Sequence, residues 1–198
     1  MNKRAGMAVI LLMSLYPPLA KAQHFALGTG GFVNEIRKTH ERYNFDYSRP
    51  PFLSLSLYLH DLKNPTRKHG WGFRYAQFKI NRETIDLTLV NQFNKQDIHY
   101  TLTTLLLNHR LKLFPRAKTA NLILNNSLGC AISKQEPLNG GEDCFGLKYV
   151  YIPGLELHAR LWGLMGVYGL VQYHRVLGDS DSLFPFSSML TFELGFSW

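Results

Sequence analysis

The sequence predicts an all-β protein, an eight-stranded antiparallel up-and-down barrel with a packed polar lumen. Three observations predict it: a two-residue period through residues 23–198, clusters of turn-forming residues that punctuate it, and an even number of stave-length strands.

The period is plainest where Leu53, Leu55, Leu57 and Leu59 alternate with Ser54, Ser56, Tyr58 and His60. A helix would smear those leucines around its circumference, whereas a strand puts all four on one face. The same pattern sets Leu105, Leu107, Leu111 and Leu113 against Asn108, Arg110 and Lys112, and Leu122, Leu124 and Leu128 against Asn121, Asn125 and Ser127. It returns where Leu147, Tyr149, Tyr151, Leu155 and Leu157 alternate with Lys148, Gly154, Glu156 and His158. Between these runs lie Asn64-Pro65, residues 115–119, Gly140-Gly141 and residues 178–185, which carry turn chemistry. The predicted strands cover 24–33, 52–60, 69–80 or beyond, 97–114, 120–133, 145–158, 162–177 and 188–198.

Residues 81–96 are the awkward stretch, because Ile85, Leu87 and Leu89 alternate with Asp86 and Thr88. A ninth crossing strand there would put the two chain ends on opposite sides. The reading adopted is a third strand that runs on past the barrel wall and pairs with the start of the fourth. The long first loop, residues 34–51, carries both charge signs with Tyr43, Phe45 and Tyr47, which suits contact with a protein or glycan.

The N-terminus reads as a secretory signal. Lys3 and Arg4 precede a twelve-residue apolar run, residues 5–16, and Ala20-Lys21-Ala22 then supplies an Ala-x-Ala site with cleavage expected between Ala22 and Gln23. The run is shorter than the roughly 20 residues a spanning helix needs. Residues 1–22 are thus expected to be a signal peptide and residues 23–198 one barrel domain. Of the formal net charge of +8, Lys3, Arg4 and Lys21 belong to the signal, which leaves +5. The remaining basic residues are scattered, so a nucleic-acid partner is disfavoured.

Export implies an oxidising compartment, where the even pair Cys130 and Cys144 favours a disulfide. In the chain-entropy model that bridge would contribute about 3 kcal/mol.

Alternation alone fits a soluble sandwich as well as a membrane barrel. Arg74, Arg110, Lys112, Glu156 and Glu193 lie mid-strand opposite the leucine face. A soluble domain would put them in water, whereas a membrane barrel must put them in its lumen, as a paired charge network. The aromatics favour the second architecture: Trp71, Phe114, Trp162 and Trp198 fall at one end of the strands, and Tyr149, Tyr151 and Tyr173 toward the other, as two interfacial girdles would.

The last strand carries a resemblance. Leu190, Phe192, Leu194, Phe196 and Trp198 alternate with Thr191, Glu193, Gly195 and Ser197. This resembles the C-terminal signal of bacterial outer-membrane barrels. In length and strand count the chain is similar to small eight-stranded members such as the OmpA transmembrane domain and OmpX. The resemblance implies residence in the outer membrane of a two-membrane bacterium, contact with outer-membrane lipid, and recognition of Phe192, Leu194, Phe196 and Trp198 by the barrel assembly machinery.

No catalytic constellation, cofactor site or metal-ligand spacing emerges. None of the eight histidines precedes a serine by two positions, as a lipid A deacylase resemblance would require. His40 with Asp179, Ser180, Asp181 and Ser182 offers only ordinary loop residues to an acyltransferase reading. Eight staves leave an interior that side chains fill, which argues against a general porin. The functional expectation is an envelope-structural or surface-interaction barrel acting through its loops. A lipid A-modifying enzyme and a soluble exported lipocalin-like barrel are the alternatives.

Overall fold

Alternating residues on a twisted sheet give each strand two unlike faces, and closing the sheet into a ring separates them into an inside and an outside. A computed structural model gives the fold, and the structure describes residues 24–36, 44–59, 68–85, 98–117, 119–137, 142–162, 165–178, 184 and 186–198. Among the described residues nine strand segments follow one another: β1 (His24–Ile36), β2 (Asn44–Ser48), β3 (Phe52–Tyr58), β4 (His69–Ile85), β5 (Ile98–Lys112), β6 (Ala120–Pro137), β7 (Cys144–Trp162), β8 (Met165–Val176) and β9 (Phe186–Ser197).

All pairings are antiparallel. The ring runs β1, β3, β4, β5, β6, β7, β8, β9 and back to β1, an eight-stave closed barrel. The ends close tightly: the Phe25 and Trp198 amides donate to each other's carbonyls at 2.9 and 3.0 Å, and their rings stack with centroids 6.4 Å apart.

The ninth segment is not a ninth stave. β2 pairs with residues 81–85 of β4, along the track that β3 begins on residues 72–77. The two are halves of the second stave, broken at Arg49-Pro50-Pro51, where prolines lack the N–H a ladder needs. The expected loop over residues 34–51 is therefore corrected. β1 continues to Ile36 and a five-residue strand occupies 44–48, too short a run for its period to stand out among charges. β4 runs unbroken through residues 81–85, and its residues 79–82 pair with residues 98–101 of β5. That is the long third strand; residues 86–97 lie outside the described residues. Trp162 ends β7 rather than opening the next strand.

The staves are unequal. β6 and β7 have 18 and 19 residues, while β8 and β9 have 12 each. A membrane crossing takes about 9 to 11 residues, so the β6–β7 hairpin stands well above the wall at the rim opposite the chain ends.

The disulfide is not formed. Cys130 pairs with Tyr149 and Cys144 with Gln135, and both thiols are free. Five residues of offset separate them, roughly 16 Å at the 3.3 Å rise of a strand, against the roughly 7 Å limit between bridged Cα atoms. An odd offset also sends the two side chains to opposite faces. Intact-mass measurement after alkylation, without reductant, is expected to count two modified thiols; an unmodified mass would contradict this register.

Candidate functional site

The inward face has two zones. Toward the rim that carries the chain ends, the terminal rim, the lumen is polar, and Arg74, Arg110, Lys112, Glu156 and Glu193 are all buried there. Glu193 on β9 accepts from the Arg74 guanidinium on β4, from Ser54 Oγ at 2.7 Å and from the Tyr168 hydroxyl at 2.6 Å. Glu156 on β7 accepts from the Arg110 guanidinium on β5 and from Asn125 Nδ2 at 2.9 Å. Arg110 also lies 4.3 Å from the centroid of the Tyr58 ring. Lys112 occupies the next inward position of β5, nearer the rim. Neither ion pair joins neighbouring staves, so each ties together strands the backbone ladder does not connect.

Burying a charge is tolerable only when it is paired and its other lone pairs are met by donors, which both carboxylates achieve here. Room for them comes from glycine. Gly28 and Gly195 face each other across β1 and β9; a Cβ on Gly28 would lie 2.1 Å from Glu193 Oε1, and one on Gly195 2.4 Å from Tyr168 Cζ and from the Leu27 carbonyl. The two bare positions form the shelf on which the Tyr168–Glu193 hydrogen bond rests.

Toward the far rim the lumen becomes apolar. Phe78 packs edge-on to Phe32 at 5.5 Å and against Phe52 at 4.7 Å, within a buried cluster that includes Ile80, Leu102, Leu106, Val150, Ile152 and Met189. Phe184, from the connection between β8 and β9, is fully buried in the same cluster, with Lys148 Nζ 5.2 Å from its ring centroid. The expected packed polar lumen is thus polar below, with an aromatic zone above it. The sequence hides this where both faces are apolar, as in Leu147, Tyr149, Val150, Tyr151 and Ile152.

The outward face is the reverse of a soluble surface. On β5, Leu107 is 46% exposed while its neighbour Asn108 is 0% exposed, and Leu53, Phe73, Leu128, Leu155, Phe192 and Leu194 share the Leu107 orientation. Trp71, Phe114 and Trp198 lie outward near the terminal rim, and Tyr149, Tyr151 and Tyr173 outward higher up. Water would not leave an apolar belt outside and two ion pairs within; hydrocarbon requires it. The chain is a transmembrane β-barrel. Its eight-stave wall encloses a lumen that, among the described residues, side chains fill.

Solved structures of similar fold include Ail of Yersinia pestis, determined in complex with the heparin analogue sucrose octasulfate, at 11% identity over 88% of this chain and 98% of that one, with a TM-score of 0.48. The outer-membrane protein OprG of Pseudomonas aeruginosa matches at 13% identity over 89% and 95%, TM-score 0.47. The N-terminal barrel of OprF from the same organism matches at 13% over 89% and 98%, TM-score 0.45. No protein-family model and no curated protein matches the sequence.

Phe192, Leu194, Phe196 and Trp198 form an exposed outward stripe on and just beyond β9. Ala22, Gln23, His40 and residues 179–182 lie outside the described residues. Among the described residues no group of three or more His, Cys, Asp or Glu side chains could hold a metal. A Ser–His contact, His158 Nε2 to Ser197 Oγ at 2.9 Å, faces the lumen with Ser197 buried, away from the lipid-facing surface. At the tall hairpin Lys134 bonds to Glu136 and Asp143, which hold its ammonium above the usual lysine range.

Glu156→Leu strands Arg110 in the lumen and is expected to cost about 3 to 5 kcal/mol, measured by urea unfolding in micelles. Leu107→Arg puts a cation into hydrocarbon and is expected to cost roughly 2 to 4 kcal/mol. On a water-facing surface both changes would be nearly silent. Gly195→Ala should destabilise more than Gly28→Ala, each within roughly 1 to 3 kcal/mol, because its Cβ meets a backbone carbonyl as well as a side chain. Equal costs would show that the shelf relaxes freely.

Proposed function

We propose that the protein is an outer-membrane barrel with an envelope-structural or surface-interaction role, exported by a signal cleaved between Ala22 and Gln23. In this reading the lipid-facing wall serves as a platform, and the work is done by the far rim, which faces the cell exterior. The observation that carries it is the double closure of the lumen, by the Arg74–Glu193 and Arg110–Glu156 pairs below and the Phe78–Phe184 cluster above. Among the described residues side chains fill the lumen at both levels, and in this reading its chemistry is displaced to what it exposes. At the tall β6–β7 hairpin this is an apolar and charged mixture: Phe145 and Leu147 are 64% and 67% exposed, beside Lys134, Glu136 and Asp143. Such a surface suits a protein or glycan partner.

The experiment replaces residues 134–145 by a short turn and compares the variant with the intact barrel on immobilised extracellular proteins and glycans. Retained heat-modifiable gel mobility with lost binding supports the reading. Ion conductance of porin size in planar bilayers would overturn it. The outward stripe of β9 is the proposed contact for the assembly machinery. Replacing Phe196 and Trp198 by serine is expected to reduce outer-membrane levels severalfold, and undiminished levels would reject that role.

A further inference from the structure

Two histidines that no strand-internal spacing connects meet at the terminal rim. His69 opens β4 and His109 lies near the end of β5; Trp71, not His69, is the register partner of His109, so the two imidazoles approach on the diagonal. His69 Nδ1 and His109 Nε2 are 3.1 Å apart, with ring planes at 20°. Both rings point outward, His69 into solvent and His109 half-buried against the Trp71 ring at 4.4 Å. We propose that His69 and His109 form a two-imidazole site for a borderline divalent transition metal, Cu2+ or Zn2+, with water completing the coordination.

The separation is the first argument. At metal–nitrogen bonds of about 2.0 to 2.1 Å, nitrogens held 3.1 Å apart subtend about 95 to 100° at a shared ion, between the square-planar and tetrahedral angles. In the metal-free protein the same approach lets the pair share one proton, so a metal displaces a proton rather than breaking a structural bond. Each ring must swing to turn its lone pair toward the ion, which the exposed His69 and the half-buried His109 can do near the ends of their strands. The donor set is the second argument. Neutral imidazoles favour copper and zinc over magnesium and calcium, and no carboxylate joins the pair among the described residues to attract the harder ions. Water reaches the site because it lies at the rim, not in the hydrocarbon belt.

Trp71 supplies the readout, since a bound Cu2+ ion within contact of its stacked partner quenches indole emission. The folded barrel in detergent micelles is titrated with Cu2+ at pH 7.5 while tryptophan fluorescence is followed, with Trp71→Phe identifying the Trp71 share. The expected result is saturable quenching of that share. It should weaken at least about tenfold in affinity in His69→Ala and in His109→Ala, since losing a ligand costs no less than losing an outer partner of one. Binding should weaken further in acid, where protons compete with the metal for the imidazole nitrogens. Zn2+ should compete and Mg2+ should not. Quenching that persists in both alanine variants places the copper elsewhere, for instance at His24, and overturns the site, as does a wild-type titration without saturation. Gel mobility of each variant, folded against boiled, separates loss of the site from loss of the fold.

Discussion

Because hydrocarbon offers no hydrogen bonds, every peptide group in the belt must be paired by a neighbouring strand, and the rest of this structure depends on that constraint. It requires the ring to close, which the reciprocal Phe25 and Trp198 bonds accomplish at the seam between first and last staves. It sends leucines and aromatics outward. It leaves Arg74, Arg110, Lys112, Glu156 and Glu193 only the lumen, where the acids and arginines must find one another.

Eight staves enclose too little space for water to solvate such charges in bulk, so pairing substitutes for hydration. The arrangement also does mechanical work, because Arg74–Glu193 and Arg110–Glu156 brace strands that share no ladder. The small positions Gly28 and Gly195 belong to the same device, since any side chain there would push Tyr168 and Glu193 off their partners. Above the braces the aromatic cluster around Phe78 closes the barrel by ordinary burial, as in a soluble core. One wall thus encloses two kinds of interior among the described residues. Beyond the lipid-facing belt, the features left over lie at the rims: the tall β6–β7 hairpin at one and the Trp71, His69 and His109 cluster at the other.

The sequence by itself determined the fold class, the number of staves and which residues share a face, because a period of two is a local property and leucine against serine reads it directly. Leu53 to Leu59 and Leu105 to Leu113 needed no tertiary information to be assigned to one face. Only the tertiary structure decided what depends on register. An offset of five residues separates Cys130 from Cys144 although the pair looked suited to a bridge. Ser54 and Tyr168 complete the Glu193 site from strands far apart in sequence. His69 and His109 meet across β4 and β5, although neither has a ligand-type neighbour in its own strand. Periodicity says which side of the wall a residue takes; who stands opposite is set by how far each strand slides along the next, and that is fixed by closure of the whole ring.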